Sequence, residues 1–212
     1  MSTRYIAIEG PIGVGKTSLC KLLAEDLDAR LFLENVEDNP FLKKFYEARA
    51  DLAFQTQVFF LLSRYRQQLE LHQQDLFHQH TVADYLFDKD RIFASVNLTD
   101  DELVLYDQVY SLLDNRIVRP DLVLFLQASP RVLMERIRRR GKDYENGLDA
   151  NYLKKLSEAY NDYFFYYNAT PLLVINTDKI DFIKNRGDFE ELKKEIVRVR
   201  RGTQYFVPLG SR

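Results

Sequence analysis

The most constraining feature of the sequence is a glycine-rich segment, Gly10–Thr17, directly after the apolar run Tyr5–Ile8. Its pattern, G-x-x-x-x-G-K-T, lets the backbone turn tightly, so that N–H groups point inward at the start of a helix. Such a loop binds the phosphates of a nucleotide. A strand-to-helix turn without a ligand is the alternative, and the complete motif between a strand and an amphipathic helix disfavours it. We therefore predict a chain built around a nucleotide-binding strand–loop–helix unit.

The loop predicts ATP or GTP together with Mg²⁺ as ligands. Lys16 would place a positive charge on the β- and γ-phosphate oxygens, and the Thr17 hydroxyl would bind Mg²⁺. The loop residues predicted to bind the nucleotide are Gly10, Gly13, Gly15, Lys16, Thr17 and Ser18.

Apolar strand-like runs alternate with longer helical segments. This alternation predicts an α/β fold with a parallel sheet covered on both faces. We expect a single domain over residues 1–212, of the three-layer P-loop NTPase type, with a central five-stranded sheet and a basic lid. The five predicted strands are Tyr5–Ile8, Leu31–Leu33, Thr81–Ala83, Leu122–Leu126 and Leu172–Ile175.

Charge and composition limit the possible partners. The 30 basic and 32 acidic residues give a net charge of −2, which offers no reason to expect binding to a nucleic-acid polymer or an anionic membrane. The sequence has no apolar stretch typical of a membrane span or secretion signal. Its single cysteine, Cys20, cannot form an internal disulfide and fits a small buried residue. We expect a cytoplasmic protein.

Polar residues follow the first four predicted strands, where ligands bind in parallel sheets: Glu9, Glu34, Asp84 and Gln127. Glu34 could accept a proton from an attacking hydroxyl, or it could belong to an acidic turn. Asp84 occupies a place from which an acid commonly meets Mg²⁺, although a structural capping role stays open. Glu37 and Asp38 are better explained as a helix cap or a solvated turn.

A basic run, Arg131–Lys142, ends beside a glycine. Arg136 and Arg140 lie four residues apart, hence on one helix face, with Leu133 and Ile137 on the buried side. A basic lid over about residues 136–151 could close over the phosphates and exclude water. A solvated helix face and a nucleic-acid patch are the alternatives.

A long helix is predicted from Leu52 to Gln73. Gln57 and Arg64 are seven residues apart and so lie on nearly one face, whereas Gln55 is rotated away from Arg64. An amide, a guanidinium and nearby aromatic rings suit a planar heterocycle. The spacing alone fits exposed polar groups and core aromatics equally well.

Taken in order, these segments resemble the deoxynucleoside kinase family, especially its bacterial deoxyguanosine/deoxyadenosine kinase branch. The resemblance covers nearly the whole chain. It is carried by Ile6–Thr17, Glu34–Leu42, Lys44–Tyr46, Phe59–Tyr65, Ala83–Tyr85, Ile92–Ala94 and Arg136–Lys142.

The resemblance implies transfer of the γ-phosphoryl group of ATP to the 5′-hydroxyl of deoxyadenosine or deoxyguanosine. Glu34 would deprotonate that hydroxyl, and Asp84 would help to hold Mg²⁺. The residues implied to bind the nucleoside are Tyr46 and Glu145 at the 3′-hydroxyl, and Gln57, Arg64 and Asp90 at the base edge. We favour Gln57 as the reader of the base, although a different register would bring in Gln55.

On the donor side, the resemblance implies that Arg136, Arg140 and Lys142 contact the phosphates. Asp181 and Phe182 would border the adenine of ATP. The family further implies a homodimer through helices that flank the sheet.

The chain departs from the family after the third strand. Many members have an acid followed by arginine there, whereas here Asp84 is followed by Tyr85. The bacterial branch shares Asp-Tyr with a lysine further on, so Lys89 could supply the missing charge. A lysine offers a compact charge in place of a bidentate fork.

Two other functions remain open. A nucleoside monophosphate kinase such as thymidylate kinase shares the loop and lid, but its anionic acceptor favours an arginine where this chain has Glu34. A non-catalytic nucleotide switch would use the loop for regulation, yet it does not need the residues that would bind the acceptor.

Overall fold

A six-stranded parallel sheet runs through the computed structural model, in the order β2-β3-β1-β4-β5-β6. The structure describes residues 5–47, 49–71, 79–114, 116–145 and 147–208. The strands are β1 Tyr5–Glu9, β2 Arg30–Phe32, β3 Thr81–Ala83, β4 Leu122–Gln127, β5 Leu172–Asn176 and β6 Thr203–Phe206.

Helices occupy the segments between the strands. They are α1 Lys16–Asp26, α2 Leu42–Glu47, α3 Arg49–Leu71, α4 Lys89–Asn97, α5 Asp100–Asp114, α6 Pro130–Arg140, α7 Ala150–Phe165 and α8 Arg186–Arg198, with a short 3₁₀ helix at Asp143–Glu145. No helix in the described part of the chain combines the length and apolar character needed to cross a bilayer.

The predicted α/β fold with a parallel sheet is confirmed, but the count of five strands is wrong. The missed strand, β6, pairs with β5 at the edge of the sheet. It is short, and its residues alternate between exposed and half-buried, so it lacks the continuous apolar run that marks strands buried on both faces. The predicted long helix corresponds to α3, Arg49–Leu71, and the predicted end at Gln73 lies outside the described residues.

The central strands form the floor of the core. All of β1 and the first five residues of β4 are buried, as expected where helices cover a parallel sheet. Phe125 of β4 stacks on Phe164 of α7 with ring centroids 4.2 Å apart, and Tyr160 of α7 stacks on the same ring. This aromatic packing fixes α7 against the strands that carry the phosphate-binding loop.

The phosphate-binding loop is wedged between β4 and α6. Gly10 has φ +149°, and a Cβ at this position would lie 2.4 Å from the carbonyl oxygen of Leu126. Gly13 is equally tight, because a Cβ there would lie 2.7 Å from Cγ1 of Ile137. Both positions therefore require glycine, and the loop is held by backbone and side-chain packing on two sides.

We predict that Gly10→Ala lowers the free energy of unfolding by more than about 3 kcal/mol, because backbone strain adds to a clash with a main-chain oxygen. Gly202→Ala is the matched control: Gly202 also has positive φ, at +65°, but an added Cβ would meet nothing within 4 Å. Its cost should stay near 1–2 kcal/mol. Urea unfolding measures both, and equal losses would contradict a clash at Gly10.

Candidate active site

A cavity of about 240 Å³ opens at the carboxyl ends of β1, β2 and β3. It is bounded by the phosphate-binding loop, the segment after β2, α2, α3, the start of α4 and the 3₁₀ helix. Its lining includes Lys16, Thr17, Glu34, Tyr46, Gln57, Phe60, Arg64, Asp84, Lys89, Phe93, Arg140, Lys142, Tyr144 and Glu145. Most residues that the sequence predicts for the acceptor side therefore share one cavity.

Glu34 lies at the centre of a charged cluster on the cavity wall. Arg64 of α3 donates to one of its carboxylate oxygens, through Nε at 2.8 Å and through a second guanidinium nitrogen. Lys89 of α4 donates to the other oxygen. Burial raises the pKa of Glu34, but the charges of Arg64 and Lys89 outweigh it and lower the pKa to about 2. Glu34 is thus ionised at neutral pH.

Arg64 connects Glu34 to a second carboxylate, that of Asp90. Asp90 is fully buried and lies behind Arg64, outside the lining of the cavity, so it is not a surface residue of α4. Burial raises the pKa of Asp90 to about 6, although Arg64 opposes the rise. One guanidinium therefore holds two shielded carboxylates that belong to different elements.

The two candidate glutamines of α3 differ in environment. Gln57 is 2% exposed and lines the cavity, and its side-chain oxygen has no hydrogen-bond partner among the described residues. Gln55 is exposed. A buried acceptor that faces a cavity calls for a donor from a ligand, so this placement favours Gln57.

Thr17 and Asp84 meet beside the phosphate-binding loop. The Thr17 hydroxyl donates to Asp84 Oδ2 at 2.6 Å, and Asp84 Oδ1 accepts the backbone N–H of Glu34 at 2.7 Å. A hydroxyl and a carboxylate suit Mg²⁺, which takes its remaining oxygen ligands from nucleotide and water. The pair therefore fits a magnesium ion, and within the described residues no larger cluster of acidic, histidine or cysteine ligands competes with it.

A second cavity, of about 480 Å³, lies on the outer side of the phosphate-binding loop. It is lined by Gly13, Val14, Gly15, Lys16, Thr17, Ser18, Lys21, Arg136, Arg139, Arg140, Lys142, Asp181 and Ile183. Phe182 is buried beneath the loop, 3.3 Å from where a Cβ of Gly15 would lie. Most donor-side residues predicted from the sequence therefore line this cavity, together with Lys21 and Arg139, whereas Gly10 and Phe182 do not.

The predicted lid region comprises the end of α6, the 3₁₀ helix and the start of α7, and its action as a lid stays a prediction. Arg136 donates to the carbonyl oxygens of Val14 and Thr177 and to the Thr177 hydroxyl, so it is bonded to the loop and to the end of β5. Arg140 instead forms a bidentate pair with Glu145. The two arginines share a helix face yet have different partners.

Lys142 forms an exposed ion pair with Glu37 at 2.9 Å, joining the predicted lid to the segment after β2. Tyr144 stacks on Tyr46 with ring centroids 6.3 Å apart. Tyr144 was not predicted from the sequence, because a tyrosine in a polar turn carries no periodic signal. Its position next to Glu145, which the family resemblance assigns to the 3′-hydroxyl, is the signal that could have suggested it.

Comparisons with known proteins show the family and the fold. The sequence matches the sequence model of a family described as "Deoxynucleoside kinase" over residues 6–199. It is 35% identical to the deoxyguanosine kinase of Bacillus subtilis, over 91% of this chain and 95% of that protein. It is 30% identical to the deoxyadenosine kinase of Lactobacillus acidophilus, over 91% and 94% of the two chains. The solved structure of a deoxyadenosine kinase from M. mycoides with bound dATP has the same fold, with a TM-score of 0.78 at 22% identity, covering 92% of this chain and 99% of that one.

We predict that Arg64→Met lowers the free energy of unfolding at pH 8 by about 3–5 kcal/mol, because it leaves the buried Asp90 carboxylate without its cation and Glu34 with Lys89 alone. Arg91→Met is the control: Arg91 is 57% exposed and pairs with Asp107 at 3.2 Å, and its loss should cost at most about 1 kcal/mol.

The pH dependence of that loss has a definite sign. Without Arg64, burial raises the folded-state pKa of Asp90 further above its unfolded value, so the folded protein binds more protons. The stability that this proton uptake contributes is fully present below the ordinary carboxyl pKa of about 4. It disappears as pH rises through the raised pKa of Asp90. The loss of unfolding free energy caused by Arg64→Met should therefore be smaller at pH 5 than at pH 8, as measured by urea unfolding. A loss that grows as pH falls would contradict the pairing of Arg64 with a buried carboxylate.

Proposed function

This chain belongs to the deoxynucleoside kinase family, and we propose that it transfers the γ-phosphoryl group of ATP to the 5′-hydroxyl of deoxyadenosine or deoxyguanosine. The observation that carries the proposal is the position of Glu34. An ionised carboxylate faces the cavity next to the phosphate-binding loop, where a hydroxyl nucleophile must lose its proton as phosphoryl transfer proceeds.

The acceptor cavity supports a neutral substrate. Arg64 and Lys89 are already paired with the Glu34 carboxylate, so a phosphate on the acceptor would have to approach a carboxylate there. This arrangement disfavours a nucleoside monophosphate as acceptor. In our proposal the 5′-hydroxyl donates to Glu34, while Lys89 places a compact positive charge near the transferring group in place of the arginine that many family members have.

The remaining acceptor residues suit the sugar and the base. Tyr46 and Glu145 line the cavity and would bind the 3′-hydroxyl. The amide of Gln57 and the guanidinium of Arg64 would bind the edge of the base, with Asp90 fixing Arg64 from behind. A glutamine amide can present both donor and acceptor to a purine, which leaves deoxyadenosine and deoxyguanosine as joint candidates.

The donor side would bind ATP through its phosphates. Lys16 donates to the carbonyl oxygens of Gly10 and Pro11, which points its charge along the loop, and Arg140 and Lys142 line both cavities. Thr17 and Asp84 would hold Mg²⁺, which neutralises charge on the phosphate oxygens when bound. Asp181 lines the cavity on the side where we place the adenine, Phe182 lies beneath the loop beside it, and Arg136 fixes the loop itself.

We also propose a cytoplasmic homodimer. α5 exposes the apolar side chains of Val104, Leu105 and Leu112, and the neighbouring α3 exposes Leu62 and Leu69. Apolar surface of this kind is typical of an interface. Light scattering coupled to size-exclusion chromatography measures the mass in solution, and a monomer at micromolar concentration would contradict the dimer.

A panel of acceptors tests the reaction. Purified protein is incubated with ATP and Mg²⁺ and with each deoxynucleoside or monophosphate in turn, and the product is identified by mass. We expect 5′-monophosphates of deoxyadenosine or deoxyguanosine. Turnover with monophosphates would favour a monophosphate kinase, and ATP hydrolysis that no acceptor increases would favour a nucleotide switch.

We predict that Glu34→Gln lowers kcat by roughly 100-fold or more and leaves the nucleoside KM within a few-fold, because the amide keeps the shape but cannot accept the proton. Glu37→Gln is the control, since Glu37 is exposed and paired with Lys142. It should keep kcat near the wild-type value. A kcat for Glu34→Gln within twofold of wild type would rule out Glu34 as the base.

We further predict that Gln57→Leu lowers kcat/KM for purine deoxynucleosides about tenfold or more, since a lost hydrogen bond to a buried partner costs about 1–3 kcal/mol. Gln55→Leu, the same change two positions away on the same helix, should stay within about twofold. Steady-state kinetics with both substrates measures the effect. Equal losses in the two variants would show that Gln57 does not read the base.

A further inference from the structure

Glu9 is a shielded carboxylate with no role in the reaction described above. It is the last residue of β1 and is fully buried. One carboxylate oxygen accepts the N–H of Gly10 at 2.8 Å and the Tyr160 hydroxyl at 2.9 Å. The other accepts the N–H of Leu86 at 2.9 Å. Glu9 therefore connects three segments that are far apart in the sequence.

Burial of this charge is costly, and no salt bridge to Glu9 is seen in the described part of the chain. An apolar side chain would avoid the cost of burying a carboxylate. It would also leave the N–H groups of Gly10 and Leu86 buried without a partner. The carboxylate is thus the group that satisfies two main-chain donors at once, which indicates that their relative position matters.

The N–H groups of Gly10 and Leu86 belong to two different segments that border the predicted phosphate site. Gly10 begins the phosphate-binding loop, while Leu86 lies between Asp84 and Lys89. The ladder between β1 and β3 ends at the pair Ala7 and Ala83. The two strands therefore separate just before the phosphate-binding loop and Asp84. Glu9 spans this separation, as its bond to Leu86 lies beyond the last ladder pair.

Both ends of the bridge are fixed to functional groups. Gly10 is held from the other side as well, because its carbonyl oxygen accepts Lys16 Nζ at 2.6 Å. The carbonyl oxygen of Leu86 accepts the N–H of Lys89 at 3.0 Å, which starts α4. Asp84, two residues before Leu86, accepts the Thr17 hydroxyl. A shift of Leu86 relative to Gly10 would therefore move Asp84 and Lys89 away from the loop.

We propose that Glu9 is a positioning residue that fixes the separation between the phosphate-binding loop and the Asp84–Lys89 segment. It acts through main-chain hydrogen bonds and does not line either cavity. The inference rests on the proposed function, because Asp84 and Lys89 bear on turnover only if the phosphoryl group is transferred between the two sides.

The test compares two substitutions of Glu9 by kinetics and by amide hydrogen exchange. Glu9→Gln keeps the length but presents an NH₂ group to a donor, and Glu9→Asp keeps the charge but is one methylene too short to reach both amides. We expect each to lower kcat by about tenfold or more, since a displacement of about 1 Å can cost roughly 100-fold. The nucleoside KM should stay within about twofold, and the half-saturating Mg²⁺ concentration should rise.

Exchange followed by NMR gives a readout that does not depend on activity. The amides of Gly10 and Leu86 should exchange faster in both variants, while those of Leu124 and Leu173, in β4 and β5, should keep their protection. Asp121→Asn is the matched control, because Asp121 accepts the N–H of Tyr5 at the opposite end of β1, at 2.9 Å. It should leave kcat within about twofold.

The outcomes separate the alternatives. Wild-type kcat in Glu9→Asp alone would show that charge, not reach, is what matters, and it would overturn the proposal. Unchanged kcat in both variants, or a nucleoside KM that rises as much as kcat falls, would overturn it too. If neither variant folds, Tyr160→Phe decides: loss of one donor should accelerate exchange at Gly10 and lower kcat about two- to fivefold, and an unchanged exchange rate and kcat would overturn the proposal. Failure of the proposed function would appear differently, as a wild-type protein that phosphorylates no deoxynucleoside.

Discussion

The ion cluster of Glu34, Arg64, Lys89 and Asp90 is the interaction on which the acceptor side depends. Its side chains come from the segment after β2, from α3 and from α4, and each is 8% exposed or less. Two cations and two carboxylates balance, so the cluster can be shielded without a net charge. Removal of Arg64 would leave Asp90 without a cation, and removal of Glu34 would leave Lys89 without its carboxylate, in a low-dielectric site where such a loss is severe. The positions of α3 and α4 are therefore tied to Glu34.

The donor and acceptor cavities are not independent, because they share residues. Lys16, Thr17, Arg140 and Lys142 line both. Arg140 also pairs with Glu145, which we place at the 3′-hydroxyl of the acceptor. A phosphate that attracts Arg140 or Lys142 would thus act on the partners of these residues, Glu145 and Glu37. Such shared contacts give a physical route by which occupancy of one cavity alters the other.

Local features could be predicted from the sequence, and contacts between distant segments could not. The phosphate-binding loop is encoded in eight consecutive residues, and four inner strands and β2 follow from apolar runs. The edge strand β6 has no such run and was missed. Helical spacing favoured Gln57, but a different register of the family resemblance kept Gln55 open, and only the packing of α3 shows which of the two is covered. Helical spacing also placed Arg136 with Arg140, yet the partners of each come from separate parts of the chain. The separate bonds of Arg136 to Val14 and Thr177 depend on how α6 meets the loop.

The positions of Tyr85 and Lys89 in the structure explain why the chain differs from the family pattern after β3. Tyr85 is fully buried and packs on Phe32 with ring centroids 6.2 Å apart, so the position after Asp84 serves the core. In our proposal Lys89 supplies the cation from the start of α4, where a helix N-terminus disfavours positive charge and the pair with Glu34 offsets the penalty. Burial lowers the pKa of Lys16 to about 8, and repulsion from Lys89 adds to the effect. The folded chain thus holds two mutually repelling ammonium groups beside the loop. A bound polyphosphate would relieve that repulsion, so the nucleotide binding that we propose would be coupled to the stability of the site through the same pair of lysines.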